Sequence, residues 1–248
     1  MTLNAGLAAT ATLIALAFGL STWDRWLRRR RPHELAWTIS LLLFAIGAGS
    51  LWWAESRGWS LLSFRLFFLT GAVLNVPWLA LGTVYLLLGP RIGRVIRSWV
   101  VALSAFAIGA VLTAPTKTQI VSDEFPTAKE VFGVAPRVLA AVGSAVPALF
   151  IIGGAIWSAI QLLRSQIPVM SSQARRTVSS PKRLVIGNLL IATGTLILSA
   201  SGTMSGRLGK DRSFAVTLLV GISVLFVGFL VATPKGQATI PTTQSHSQ

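Results

Sequence analysis

The residues of this chain best suited to binding chemistry lie on one face of a single apolar segment. Asn75, Trp78 and Tyr85 carry an amide, an indole and a phenol, and Gly71 and Gly82 complete the same pattern at intervals of four, three, four and three residues. That spacing places all five residues on one face of a helix. Their polar groups form hydrogen bonds, but none is a strong acid, base or nucleophile at neutral pH. The face therefore predicts ligand binding rather than covalent catalysis.

Proline is expected to bend the helix that carries this face. Pro77 has no N–H to donate to the carbonyl of Val73, so we expect a kink there, and Pro147 predicts another kink in a later helix. A carbonyl freed in this way needs a partner in a medium without water. One interpretation is a kinked, polar wall of a ligand cavity or pathway. The alternative is ordinary helix packing, in which small residues allow close approach and polar side chains link helices.

A second polar face is predicted further along the chain. Asn188, Thr195 and Ser199 share one side of a later apolar segment. If they faced Asn75, Trp78 and Tyr85, the two faces would line a central cavity. Close packing of helices through small and hydroxyl side chains again provides the alternative.

Two opposite charges flank a short turn between the second and third apolar segments. Glu55 ends one segment and Arg65 begins the next. Ionised groups near membrane depth tend to pair, so we predict an ion pair at the mouth of the bundle. The pair would either close the hairpin or contact a polar ligand.

Several classes of function are disfavoured by residues that the chain lacks. It has no cysteine and two histidines, His33 and His246, which we place in a loop and in the tail. We therefore expect no catalytic residues, no metal site and no cofactor, because the apolar segments offer serines without a base and no cluster of metal ligands. An enzyme is disfavoured, although acidic residues on the outer face leave the possibility open.

Long apolar runs must position these groups. Hydrophobic residues make up 53% of the 248 residues and charged residues only 12%, against about 25% charged residues in a typical soluble protein. Crossing a membrane takes about 20 apolar residues in a helix. The sequence predicts an all-α bundle of seven transmembrane helices, spanning Leu3 to Thr22, Leu35 to Trp53, Leu61 to Leu88, Ser98 to Thr113, Arg137 to Leu163, Leu184 to Gly202 and Phe214 to Ala232.

The distribution of basic residues predicts the orientation of this bundle. Of the 22 Lys and Arg residues, fourteen fall in segments on one side of the predicted bundle and eight on the other. The positive-inside rule then places the N-terminus outside and the C-terminus in the cytoplasm of a cell-membrane protein. We expect a single transmembrane domain over residues 1–233, followed by a disordered cytoplasmic tail over residues 234–248.

The net charge of +15 does not indicate nucleic-acid binding, because the basic residues gather in short loops beside apolar runs. Arg28, Arg29, Arg30 and Arg31 would contact anionic lipids. The leading hypothesis is a non-enzymatic membrane protein that binds a small or lipophilic molecule in its bundle, as a sensor or accessory subunit. The alternatives are a carrier or channel for an uncharged solute, and a structural partner of another membrane protein that associates through Gly153, Gly154, Gly221 and Gly228.

Overall fold

The structure, a computed structural model, describes residues 3–163, 181–204 and 210–232. Within these ranges the chain is helical and forms no β-strand. The predicted all-α fold is confirmed, whereas the predicted tail over residues 234–248 lies outside the described residues. The long helices are α1 (Leu3–Arg29), α2 (Pro32–Arg57), α3 (Leu61–Leu87), α4 (Pro90–Thr113), α5 (Val134–Leu163), α6 (Pro181–Met204) and α7 (Lys210–Ala232).

Six of the described helices are long and apolar enough to cross a membrane, namely α1 to α5 and α7. This is the apolar helical bundle expected of a multi-pass membrane protein. In helix α6, the side chains described without interruption form the apolar stretch Leu189–Leu198.

Five helices begin earlier than the hydrophobic pattern alone predicts, and three of them begin at a proline. Helix α2 starts at Pro32 and α4 starts at Pro90, whereas the apolar runs suggested Leu35 and Ser98. Proline is well suited to the first position of a helix, where its missing N–H is not needed. The turn before α4 also requires Gly89, whose φ of 85° is unfavourable for residues with a side chain. The polar residues after each proline therefore belong to a helix.

Helix α3 is not a regular α-helix throughout. It consists of an α-helical part at Leu61–Phe67, a π-helical part at Phe68–Leu74 and a second α-helical part at Asn75–Leu87. The π-helical part ends with a hydrogen bond from the Asn75 N–H to the Thr70 carbonyl. This irregular segment lies directly before Pro77, where a kink was predicted from the missing N–H.

Most of the helices form a closed ring. In order around the ring, α1 packs on α2, α2 on α3, α3 on α5, α5 on α6, α6 on α7 and α7 on α1. Helix α4 lies outside this ring and packs mainly on α3. Much of the surface of α4 is therefore exposed, including Trp99, which is 71% exposed, and Phe106.

Helices α6 and α7 pack closely through two pairs of glycines. A Cβ atom added to Gly194 would lie 2.8 Å from the backbone nitrogen of Leu225 and 2.9 Å from the carbonyl oxygen of Gly221. One added to Gly228 would lie 3.0 Å from the carbonyl oxygen of Gly187. Gly221 and Gly228, two of the four glycines considered for association with a partner, thus pack within the bundle. Glycine allows this close backbone approach between membrane helices. Gly154 also packs within the bundle, because a Cβ atom added to it would lie 2.9 Å from Cδ1 of Leu87 in α3.

The two ends of the bundle differ in chemistry. The arginine end holds the α1–α2 and α3–α4 turns and carries Arg28–Arg31, Arg91, Arg94 and Arg97. The aromatic end is the opposite one, where the segment between α4 and α5 folds back through a hydrogen bond from the Trp59 N–H to the Ser122 carbonyl (2.8 Å). A cluster of rings in mutual contact closes that end: Trp59, Phe64, Phe67, Phe68, Phe125, Phe132 and Phe214.

Candidate functional site

The polar face of α3 lies at the junction of three helices. On its α2 side, the Ser40 hydroxyl donates to the side-chain oxygen of Asn75 (2.6 Å) and lies 3.0 Å from its carbonyl oxygen. Both side chains are buried. About two helical turns further along α3, the indole of Trp37 packs directly on Gly82, where a Cβ atom would overlap the ring. Asn75 and Gly82 thus connect α3 to α2.

The other side of the same face contacts α4. The Trp78 indole N–H donates to the Ser104 hydroxyl (3.1 Å). The ring of Tyr85 packs on Gly93 in the first turn of α4, again at a place that a Cβ atom would occupy. The predicted face therefore holds α2 and α4 against α3, and its amide and indole groups have protein partners.

The carbonyl that Pro77 frees lies at the contact between α3 and α5. A Cβ atom added to Gly143 would lie 3.4 Å from the Val73 carbonyl oxygen. Gly143 is itself four residues before Pro147, so both proline-affected turns meet at this contact. Glycine Cα–H groups are weak donors to carbonyl oxygens at such helix contacts. Helix α5 continues through Pro147 from Val134 to Leu163.

The predicted polar face of α6 lies elsewhere in the bundle. Thr195 is buried, and its hydroxyl donates to the Ile191 carbonyl of its own helix (2.8 Å). The side chains of Asn188 and Ser199 lie outside the described part of the structure. The main neighbours of α6 are α5 and α7, and α5 separates it from α3 around the ring. A cavity shared by the faces of α3 and α6 stays a prediction.

At the aromatic end, Arg65 contacts the end of α4. Its guanidinium donates to the Ala114 carbonyl (2.6 Å), directly after the last residue of that helix. A cation is favourable there because the carbonyl end of a helix carries partial negative charge. Glu55, half-buried at the end of α2, was predicted to pair with this arginine, and that ion pair stays a prediction.

Sequence reasoning missed two titratable residues at the arginine end. His33 was placed in a loop, which is wrong, because α2 begins at Pro32 and contains both His33 and Glu34. Both side chains are buried, being 4% and 5% exposed. Pro32 was the signal that could have extended the helix to include them. The ring of His33 packs edge-on against Trp37, with 5.1 Å between ring centroids.

Several buried polar atoms near this point have no hydrogen-bond partner among the described residues. Three of them are Nδ1 of His33, Nε1 of Trp37 and the hydroxyl oxygen of Tyr85, and Oε2 of Glu34 is another. Because Trp37 packs on Gly82 and a helix rises about 1.5 Å per residue, His33 and Tyr85 lie at a similar height in antiparallel α2 and α3. Together, His33, Trp37 and Tyr85 are called the inner-face site, because their polar atoms are buried inside the bundle.

The inner-face site suits binding better than catalysis or metal chemistry. An indole N–H is only a donor, a phenol both donates and accepts, and an imidazole nitrogen does either. Leaving such groups buried without partners costs about 1–3 kcal/mol each, so a bound molecule with oxygen or nitrogen atoms would be stabilised there. Within the described ranges, no three His, Cys, Asp or Glu residues are grouped as metal ligands would be.

The fold and this site define a membrane-type helical bundle with a buried polar site near one end. No protein-family model matches the chain, and no curated protein is significantly similar to it.

The hydrogen bond between Ser40 and Asn75 should contribute measurably to stability. In a double-mutant cycle of Ser40→Ala and Asn75→Leu, we expect a coupling of about 1 kcal/mol, typical of a hydrogen bond between membrane helices. Thermal or denaturant unfolding in detergent would measure it. Ser50→Ala is the control, because that hydroxyl is exposed and bonds only its own helix. Additive effects of the two substitutions would contradict the prediction.

Proposed function

We propose that this chain is a non-enzymatic, multi-pass membrane protein that binds a small or lipophilic molecule in its helix bundle, as a sensor or accessory subunit. The observation that carries the proposal is the inner-face site, with three buried polar groups that have no partner among the described residues. Asn75, Trp78 and Thr195 contribute mainly to helix packing in this proposal, because their polar groups bond to protein atoms.

The proposed topology has seven membrane-spanning helices, an outer N-terminus and a cytoplasmic C-terminus. It is supported by the concentration of arginines at the arginine end, since positively charged residues favour the cytoplasmic side. Helix α6 would be the seventh span, and it packs between α5 and α7 in the ring of helices. The inner-face site would then lie near the cytoplasmic side of the membrane.

The test distinguishes a protein with a ligand bound at the inner-face site from a protein in which that site is empty. Native mass spectrometry of protein purified in mild detergent should detect a small molecule that disappears in Trp37→Phe and Tyr85→Phe. Because the ligand stabilises the protein, both variants should also unfold at a lower temperature than the wild type. Trp53→Phe, which alters an exposed indole at the other end of α2, should retain both the ligand and the unfolding temperature.

The expected changes in unfolding temperature are different if the inner-face site is empty. If no molecule is bound, removing a buried polar atom that has no partner relieves a desolvation penalty. Trp37→Phe and Tyr85→Phe would then raise the unfolding temperature or leave it unchanged, and no mass would be lost. That outcome would reject ligand binding at the inner-face site and favour a structural role.

A further inference from the structure

The first turns of α4 form a basic surface without acidic partners. Arg91, Arg94 and Arg97 recur at intervals of three residues and are all exposed. No acidic residue occurs in the first turn of α4, and within the described residues none of the three arginines forms an ion pair. The three side chains lie close to one side of the helix, so their positive charges add.

Arg28 and Arg30, beside the α1–α2 turn, are differently placed. Arg28 forms an ion pair with Asp24, with 2.9 Å between Nε and Oδ2. The guanidinium of Arg30 lies over the ring of Trp26, 4.8 Å from its centroid. These arginines have partners within α1, whereas those of α4 are available to an external anion.

Two further features at the start of α4 favour an anion. Its N-cap residue, Gly89, has no side chain to accept a hydrogen bond from the first turn, and the N-terminus of a helix carries partial positive charge. Tyr85 packs on Gly93 in this turn, and its hydroxyl is buried and unpartnered among the described residues, at 2% exposure. A hydroxyl donor, helix N–H groups and guanidinium groups therefore all belong to the last turn of α3 and the first two turns of α4.

The apolar surface beside the arginines indicates which kind of molecule would bring the anionic group to them. Ile92, Val95 and Trp99 are 47%, 59% and 71% exposed, and they lie between and after the arginines on a helix outside the ring. A soluble anion would leave these side chains uncovered. A lipid would place its headgroup at the arginines and its acyl chains along the apolar side chains, while tryptophan favours the headgroup boundary.

We propose that the α4 lipid site, formed by Arg91, Arg94, Arg97 and the first turn of α4, binds the phosphate headgroup of an anionic phospholipid. The site differs from the inner-face site in its charged groups and in its exposure. Tyr85 adjoins both sites, so its substitution would not separate them. The proposal does not depend on ligand binding between α2 and α3.

The test compares two double variants that remove the same charge from the same end of the protein. The full chain in detergent is titrated with phosphatidylglycerol or with phosphatidylcholine of identical acyl chains, and bound lipid is counted by native mass spectrometry. The double variant Arg91→Gln with Arg94→Gln should weaken phosphatidylglycerol binding about 25-fold, because each basic residue near a lipid headgroup contributes a factor of about five in affinity. Phosphatidylcholine binding should change little.

The control is Arg28→Gln with Arg30→Gln, for which we expect a loss of less than about threefold because those arginines already have partners. Unfolding without added lipid should match the wild type for both double variants, since all four residues are exposed. Equal losses in the two double variants would overturn the proposal, because general charge would then explain binding. Displacement of the lipid by inorganic phosphate, but not by chloride at equal ionic strength, would also overturn it in favour of a soluble anion.

Discussion

Replacing Gly194 by leucine should separate α6 from α7 and destabilise the protein by about 3 kcal/mol, the upper range for overpacking. The reason is the nature of the atoms that a new side chain would meet. The backbone nitrogen of Leu225 and the carbonyl oxygen of Gly221 lie 2.8 and 2.9 Å from the position of a Cβ atom. Backbone atoms cannot rotate away as side chains do, so the two helices must move apart.

Gly153→Leu provides the matched control for this prediction. No heavy atom lies within 4 Å of a Cβ atom at Gly153, and the residue is exposed on α5. Leucine facing lipid or detergent at that position should change stability by less than about 0.5 kcal/mol. Thermal unfolding followed by size-exclusion chromatography would compare the two variants. If Gly194→Leu unfolded at the same temperature as Gly153→Leu, the close packing of α6 on α7 would be wrong.

Adding a single methyl group at Gly82 should destabilise the contact between α2 and α3 by about 2–3 kcal/mol. The ring of Trp37 occupies the position of the new Cβ atom. That ring also packs edge-on against Phe229 of α7, with centroids 4.6 Å apart and planes at 86°, and against His33. The indole packs between α2, α3 and α7 and is only partly exposed, so it has little room to move.

A second substitution identifies the cause of this effect. Gly82→Ala should lose most of its penalty in the background of Trp37→Leu, because the smaller side chain leaves space for the methyl group. Gly71→Ala is the control on the same helix, since no heavy atom lies within 4 Å of its Cβ position. Unfolding in detergent would give the free energies of Gly82→Ala, Trp37→Leu, their double variant and Gly71→Ala relative to the wild type. An undiminished penalty in the Trp37→Leu background would show that the ring does not cause it.

The helices themselves were largely predictable from the sequence. Runs of apolar residues bounded by arginines and prolines predict long helices, because backbone groups in a lipid environment must be hydrogen-bonded within the segment. The errors occurred at the ends. His33 and Glu34 are polar, and hydropathy therefore excluded them from α2, whereas Pro32 marks the true beginning of the helix. Composition does not distinguish two buried polar residues at the end of a helix from two polar residues in a loop.

The candidate site was predictable only in part. The spacing of Asn75, Gly82 and Tyr85 correctly placed them on one face of α3, because the α-helical part Asn75–Leu87 is regular. It did not show that Ser40 would bond to Asn75 or that Trp37 would pack on Gly82. Those contacts depend on how α2 rotates and slides against α3. Both motions are determined by packing between segments that are distant in the sequence.

The amino-acid sequence by itself determined that this chain forms long apolar helices, with basic residues concentrated in particular turns and polar residues along one face of α3. These properties follow from local periodicity and from the hydrogen-bonding needs of the backbone in lipid. Only the tertiary structure decided which polar groups have partners. Asn75 and Trp78 bond to Ser40 and Ser104, whereas Tyr85 is buried against Gly93 without a partner among the described residues. A hydrogen bond between helices depends on the positions of both helices, and one segment's pattern does not contain that information.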